Sequence, residues 1–160
     1  MPNNLKIVCP CGHKVQDPPL LYQACCERFH SNALKANSPE QLMRSRYAAF
    51  VLHLYDYLIA THHPEFLQGL TANTLAQSPE THWLSLEVMS SSSTDLDGKV
   101  EFQAWYKDDS GINAIHEISD FQCIGGQWLY TQGEQFDAIF PKRNQTCLCG
   151  SGKKFKQCCL

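Results

Sequence analysis

Residues 38–64, "SPEQLMRSRYAAFVLHLYDYLIATHHP", open like a helix and stop like one. Ser38 is an N-cap type, Pro39 suits the first helical position because it has no N–H to leave unpaired, and Gln41 completes the capping-box spacing. Leu42, Met43, Tyr47, Phe50, Val51, Leu54 and Leu58 recur at steps of three and four, which lays an apolar stripe along one face. Pro64 ends the pattern. The span is long for a single globular helix, so a break is expected between His53 and Asp56, and a shorter helix over 65–76. His62-His63 reads as a helix end, where a cation meets the negative pole of the dipole.

From His82 the period changes to two. "THWLSLEVMSSSS" alternates Leu84, Leu86 and Val88 with polar residues, and "GKVEFQAWYKDD" alternates Val100, Phe102, Ala104 and Tyr106. "INAIHEISDFQCI" and "QWLYTQGE" complete four strand candidates, with Asp97-Gly98, 109–111 and Gly125-Gly126 as turn signals between them. Helices followed by an antiparallel meander make an α+β fold, a curved sheet wrapped over one helical layer. A chain of 160 residues with 43% hydrophobic content holds one core and small appendages.

The N-terminus lacks the apolar run of a signal peptide, and no stretch reaches the roughly 18 apolar residues of a membrane span, so the cytoplasm is the expected location. In that reducing setting clustered thiols hold metal more often than disulfides. Eight of the nine cysteines fall into two terminal groups, and Cys123 stands alone as a small apolar residue. Adjacent cysteines such as Cys158 and Cys159 are poorly placed to bridge each other.

The tail "CLCGSGKKFKQCCL", residues 147–160, brings Cys147, Cys149, Cys158 and Cys159 together around a Gly-Ser-Gly turn, a complete tetrahedral zinc set. So short a segment has almost no core, so metal binding contributes most of its folding energy. Near the start, "CPCGHKVQDPPLLYQACCERFH" repeats the outline with Cys9, Cys11, Cys25 and Cys26, and His13 or His30 stands by as a substitute for one thiolate. Two Zn2+ per chain are expected. Charge is uneven as well. The last twenty residues hold five basic and no acidic side chains, against eight basic and sixteen acidic in the rest. A basic knob on an acidic body attracts acidic protein surfaces, RNA or anionic lipid, and nothing in it signals DNA sequence readout.

The tail resembles the SEC-C motif, the zinc-binding tail of the preprotein translocase motor SecA and of many otherwise unrelated bacterial proteins. Cys147, Cys149, Ser151, Gly152, Lys153, Lys154, Cys158 and Cys159 carry the match. With "LMRSRYAAFVLHLYDYLIATHHP" and "THWLSL", the whole chain resembles the uncharacterised bacterial YchJ-like family. That resemblance implies a degenerate SEC-C-like segment (1–33), a central domain similar to nuclear transport factor 2 (34–141) and a closing SEC-C motif (142–160). The likeness to the SecA tail implies an acidic protein surface as partner for the knob formed by Lys153, Lys154, Phe155 and Lys156, and its basic charge equally suits the ribosome and its RNA through phosphate contacts. Cone domains of this kind often dimerise.

Such cones often enclose a pocket, and some related ones are isomerases or dehydratases, which makes small-molecule binding or catalysis the alternative function. Tyr47, Tyr57, Trp83, Trp105, His116 and Trp128 are the candidate pocket residues. His116 and Glu117 are neighbours on one strand, so only one of them faces the cone. No phosphate loop, nucleophile elbow or His-Glu-x-x-His is present, and aromatic residues at alternating strand positions are ordinary core, so no catalytic residue is assigned. Arg44 and Arg46 are expected to pair with carboxylates.

Overall fold

The computed structural model describes residues 6–13 and 19–160. Residues 1–5 and 14–18, the latter inside the loop from Cys11 to Cys25, lie outside the described residues. The chain runs through α1 (Glu27–His30), α2 (Pro39–Val51), α3 (Tyr55–Ala60) and α4 (Ala72–Gln77), then β1 (His82–Ser93), β2 (Asp97–Asp108), β3 (Gly111–Ile124) and β4 (Gln127–Phe136). Ser38 caps α2 by accepting the Gln41 N–H at 3.2 Å. The Gln41 side chain reaches back to the Asn37 N–H at 3.0 Å, one residue earlier than the capping-box form. The expected break falls between α2 and α3, where His53 takes a positive φ of 60°.

The helix expected over 65–76 is split in two. Pro64–Phe66 forms a 3-10 turn, Gln68 and Gly69 swing into the left-handed region at φ 50° and 82°, and Thr71 then caps α4 by accepting the Thr74 N–H at 3.1 Å. Two left-handed residues in succession end a helix, and the Thr71 cap starts another. His62 also differs from expectation. It is buried, burial lowers its pKa, and its ring stands edge-on to Tyr130 at 5.0 Å, so a neutral imidazole packs where a helix-end cation was anticipated. Reciprocal backbone bonds stitch this corner to β4: His63 N–H to Tyr130 O at 2.8 Å and Tyr130 N–H to Thr61 O at 2.9 Å.

The four strands form one antiparallel sheet in sequence order, β1-β2-β3-β4. Gly125 and Gly126, at φ 60° and 79°, turn β3 into β4 as anticipated. The first turn lies earlier than expected, at 94–96, where Thr94 Oγ1 accepts the Asp97 N–H at 3.1 Å. Asp97 and Gly98 already belong to β2. Gly98 serves close approach, since a Cβ there would overlap the Pro39 ring and stand 3.3 Å from Trp128.

Strand alternation divides the sheet into two packed faces. On the inner face Val100, Phe102, Ala104, Phe121 and Trp128 pack against Leu42, Met43, Tyr47 and Ala48 of α2. On the outer face Trp105, 1% exposed, gathers Cys147, Leu148 and Phe155. A strap after β4 crosses that outer face. The Gln103 side chain accepts from Ile139 N–H at 2.6 Å and donates to Ile139 O at 3.1 Å, as a strand neighbour would. His116 is hydrogen-bonded to Asp137 O and Glu101 Oε1, both at 2.8 Å. Among the described residues no helix is long and apolar enough to cross a membrane.

Candidate metal centres

Each terminal group closes on itself through the same backbone bonds. At the C-terminus, Cys147 N–H donates to Lys153 O (2.7 Å), Phe155 N–H to Gln145 O (2.8 Å), Gly150 N–H to Cys147 O (3.3 Å) and Cys158 N–H to Phe155 O (3.2 Å). At the N-terminus, Cys9 N–H donates to Leu20 O (2.9 Å), Tyr22 N–H to Ile7 O (2.9 Å), Gly12 N–H to Cys9 O (3.1 Å) and Cys25 N–H to Tyr22 O (3.0 Å). Isolated antiparallel bridges, Thr146 with Lys154 and Val8 with Leu21, hold both loops shut. In each, a Cys-x-Cys turn ends on a left-handed glycine, Gly12 (φ 66°) or Gly150 (φ 78°), and a 3-10 turn, Tyr22–Ala24 or Phe155–Gln157, delivers the adjacent pair. The longer N-terminal loop leaves this frame unchanged.

The sulfurs in each group lie within 4.8 Å of one another. Cys11 and Cys25 are 3.5 Å apart, Cys25 and Cys26 3.9 Å, Cys149 and Cys158 3.4 Å, Cys158 and Cys159 3.8 Å. A tetrahedron with metal–sulfur bonds of about 2.3 Å has an edge of about 3.8 Å. The separations fit that edge and far exceed an S–S bond of about 2.04 Å. Hydrogen bonding among the N-terminal thiols lowers the pKa of Cys9 and Cys25 and raises that of Cys11 and Cys26. At the other end the Ser151 hydroxyl helps draw Cys149 down to about 6, while burial pushes Cys159 up. Both groups can hold a metal ion.

Neither histidine joins the N-terminal set. His30 engages Tyr22 OH through Nδ1 and Ser45 O through Nε2, each at 2.7 Å, and burial lowers its pKa. His13 lies outside the four-sulfur group, although its backbone N–H points at Cys11 Sγ from 3.5 Å.

The surroundings of the two centres differ. Cys9, Cys11, Cys25 and Cys26 are all buried and belong to the main core. Arg44 donates to Cys11 O at 3.2 Å, and Arg28 to Cys25 O at 3.1 Å. Of the four tail cysteines only Cys147 is buried, and Cys158 is exposed. That motif rests on the sheet through Leu148, Phe155 and a hydrogen bond from Ser85 Oγ to Leu148 O. Lys153, Lys154 and Lys156 are exposed, but Phe155 is 6% exposed and packs beneath them against Trp105 and Leu148. The aromatic anchor assigned to the knob is therefore part of its base, for the same reason that its counterpart Tyr22 turns inward.

The candidate pocket residues scatter. Tyr47 and Trp83 line a cavity inside the cone. Trp105 and His116 face the other side of the sheet. Trp128 is in the core beside Gly98, and Tyr57 OH is bonded to Ser45 Oγ at 2.7 Å while its ring meets His30. Glu117, not His116, faces the cone, and Arg46 lines the same cavity, where among the described residues it has no carboxylate partner of the kind expected. Arg44 does pair with Glu40, at 3.6 Å. Two arginines two positions apart on a helix point about 200° apart, so one of them had to turn inward.

Comparison with known proteins finds matches to the middle of the chain and to its tail. Residues 38–133 match the family described as "YchJ, middle NTF2-like domain", and residues 143–160 match the SEC-C motif. A UPF0225 protein of Shewanella sp. (strain ANA-3) is 50% identical over an alignment covering 95% of each chain. One from Vibrio parahaemolyticus is 38% identical, with 94% of this chain and 97% of the relative covered. A SEC-C motif containing protein from Psychrobacter arcticus superposes with a TM-score of 0.69 at 34% identity, covering 95% of this chain and 94% of that one. The SEC-C motif containing protein RPA3114 from Rhodopseudomonas palustris gives 0.72 at 34% identity, covering 82% and 100%.

Proposed function

The chain belongs to the UPF0225 family, with its YchJ-type NTF2-like middle domain and SEC-C tail, and on that premise we propose that it is a zinc-binding interaction protein whose C-terminal motif engages an acidic protein or ribonucleoprotein partner. Zinc is the ion that suits both centres: four thiolates in a tetrahedron, with no open position, are the donor set of a structural zinc site. The ion would be held by Cys9, Cys11, Cys25 and Cys26 at one end and by Cys147, Cys149, Cys158 and Cys159 at the other. When bound it supplies the charge that lets the thiolates pack together and the free energy that shapes each loop.

The observation that carries the reading is a substitution between two equivalent positions. Where the N-terminal loop has Leu20 and Leu21, the C-terminal loop has Lys153 and Lys154. Leu20 is half-buried and Leu21 37% exposed, an apolar edge, whereas both lysines are exposed and turn the equivalent edge toward water and counter-charge. The lysine strand is paired with residues 143–147, and residues 144–150 form one wall of a groove of about 1000 Å³, whose other walls include Val8, Pro10, Met89 and Phe140. An extended acidic segment with a few apolar residues suits that combination.

The test is affinity capture with the metal-loaded chain, with and without ribonuclease, comparing wild type with Lys153→Glu/Lys154→Glu. Specific capture that the double variant loses, at unchanged metal content, is the expected result. Equal capture by both forms contradicts a basic contact surface. Ribonuclease sensitivity distinguishes a ribonucleoprotein from a protein partner.

A further inference from the structure

Between α2 and the inner sheet face lies a cavity of about 190 Å³, near the size, about 150 Å³, of an apolar cavity that takes up benzene. Phe50, Trp83 and Phe102 give it aromatic walls. Phe50 is 36% exposed and its ring stands 6.4 Å from that of Trp83, so this pair forms the side nearest solvent.

Two charged side chains also line the cavity. Arg46 is 7% exposed, with its guanidinium 4.8 Å over the Tyr130 ring. Its Nη1 is committed to Leu58 O at 2.8 Å and Thr61 Oγ1 at 2.7 Å. Among the described residues, Nε and Nη2 have no hydrogen-bond partner, and no carboxylate oxygen comes within 4.0 Å of the guanidinium. These two nitrogens are not sealed off, unlike Arg44 Nε and His62 Nε2, so they remain donors that an acceptor entering the cavity can reach. Burial draws the Arg46 pKa down to about 10, which still leaves it charged at neutral pH.

Glu117 is the second group. Its Oε1 accepts from Ser119 Oγ at 2.7 Å and Tyr130 OH at 3.0 Å, and its Oε2 accepts from Gln135 Nε2. Gly133 lies directly against this carboxylate, where any Cβ would overlap it. The carboxylate is thus fixed and well supplied with donors, while the guanidinium keeps donors to spare. Opposite charges in one cavity balance, so a ligand carrying its own charge would add one that nothing compensates.

We propose that this cavity binds a neutral, single-ring aromatic molecule whose hydrogen-bond-accepting oxygen takes the free N–H groups of Arg46. The ring fills the space between Phe50, Trp83 and Phe102, and the oxygen points toward α2. This site is separate from both cysteine centres and from the lysine strand, and it does not depend on the interaction function above.

The experiment uses the full metal-loaded chain titrated with benzamide, benzoate and toluene, followed by NMR of the Trp83 indole and the Ile115 methyls. Benzamide is expected to bind saturably, with toluene and benzoate each at least about tenfold weaker, since a hydrogen bond to a charged group and an unbalanced charge both exceed that factor. Arg46→Met and the cavity-filling Ala104→Leu are each expected to abolish the benzamide response, with the Trp105 signals unmoved. If Arg46→Met does not fold, the order of the three probes and the Ala104→Leu result still decide. No saturable response to benzamide, or a response that survives Ala104→Leu, overturns the site. Toluene binding as tightly as benzamide removes the role of Arg46, and benzoate binding most tightly overturns the neutral ligand.

Discussion

The two cysteine loops share a backbone frame and differ in what lies around it. Ile7–Cys26 and Gln145–Cys159 close with the same four hydrogen bonds, yet the first contributes four buried sulfurs to the main core and the second leaves Cys158 in solvent. The N-terminal loop is bolted to α2 by Arg44 and His30, whereas the C-terminal loop rests on Trp105 and a single bond from Ser85. The same four-cysteine frame, able to hold a metal ion, thus stands at both ends, once within a core and once at the surface. The residues at its flanks decide which.

The largest test of this contrast is removal of each adjacent pair in turn. Cys25→Ser/Cys26→Ser is expected to lower global stability by on the order of 5 kcal/mol or more, because the proposed structural zinc would contribute about 10–16 kcal/mol and these sulfurs belong to the core. Cys158→Ser/Cys159→Ser is expected to cost the sheet only about 1–3 kcal/mol, the value of uncovering Trp105 and Leu148. Denaturant unfolding of the two variants checks both figures, and equal losses would erase the distinction.

Next in size is Trp105→Ala, expected to cost about 3–5 kcal/mol and to release the tail while metal content stays intact, since the cysteine frame closes on its own backbone bonds. Proteolysis after residue 142, read beside metal content, separates release from unfolding. Gln103→Ala removes both side-chain bonds to Ile139 and is expected to cost about 1–3 kcal/mol, visible as faster exchange of the Ile139 amide.

Much of this contrast was legible in the sequence, and the reasons are local. The C-terminal site is four ligands and two glycines within fourteen residues, so spacing alone defines it. The helix-then-sheet order was visible because periods of 3.6 and 2 are properties of the chain itself. Burial on one side or the other is not local. Phe155 beside three lysines reads as an exposed anchor, and only the sheet beneath it shows that it packs inward. Trp105 and His116 were grouped with Tyr47 and Trp83 as pocket aromatics, although the pleat sends Trp105 to the tail, His116 to the strap at Asp137, and the other two to the cavity. Arg46 was expected to meet a carboxylate, and the partners it has instead, Leu58 O, Thr61 Oγ1 and the Tyr130 ring, come from the end of α3 and from β4, which local sequence does not place beside it.

The smallest effect expected is one of pH. Hydrogen bonds to Asp137 O and Glu101 raise the His116 pKa above its ordinary value of about 6.5. A raised folded-state pKa means that its stabilisation of the strap is fully present below about pH 6.5 and is lost as pH rises through the folded value. Exchange protection of the Ile139 amide is therefore expected to fall as pH rises above about 6.5, and His116→Gln to remove that dependence.

The central claim is that one metal-binding frame occurs twice in this chain, and elemental analysis of the purified protein addresses it directly. Two zinc ions per chain, with Cys25→Ser/Cys26→Ser and Cys158→Ser/Cys159→Ser each losing one, is the predicted result. One ion lost only with the tail variant, or none at all, would contradict it.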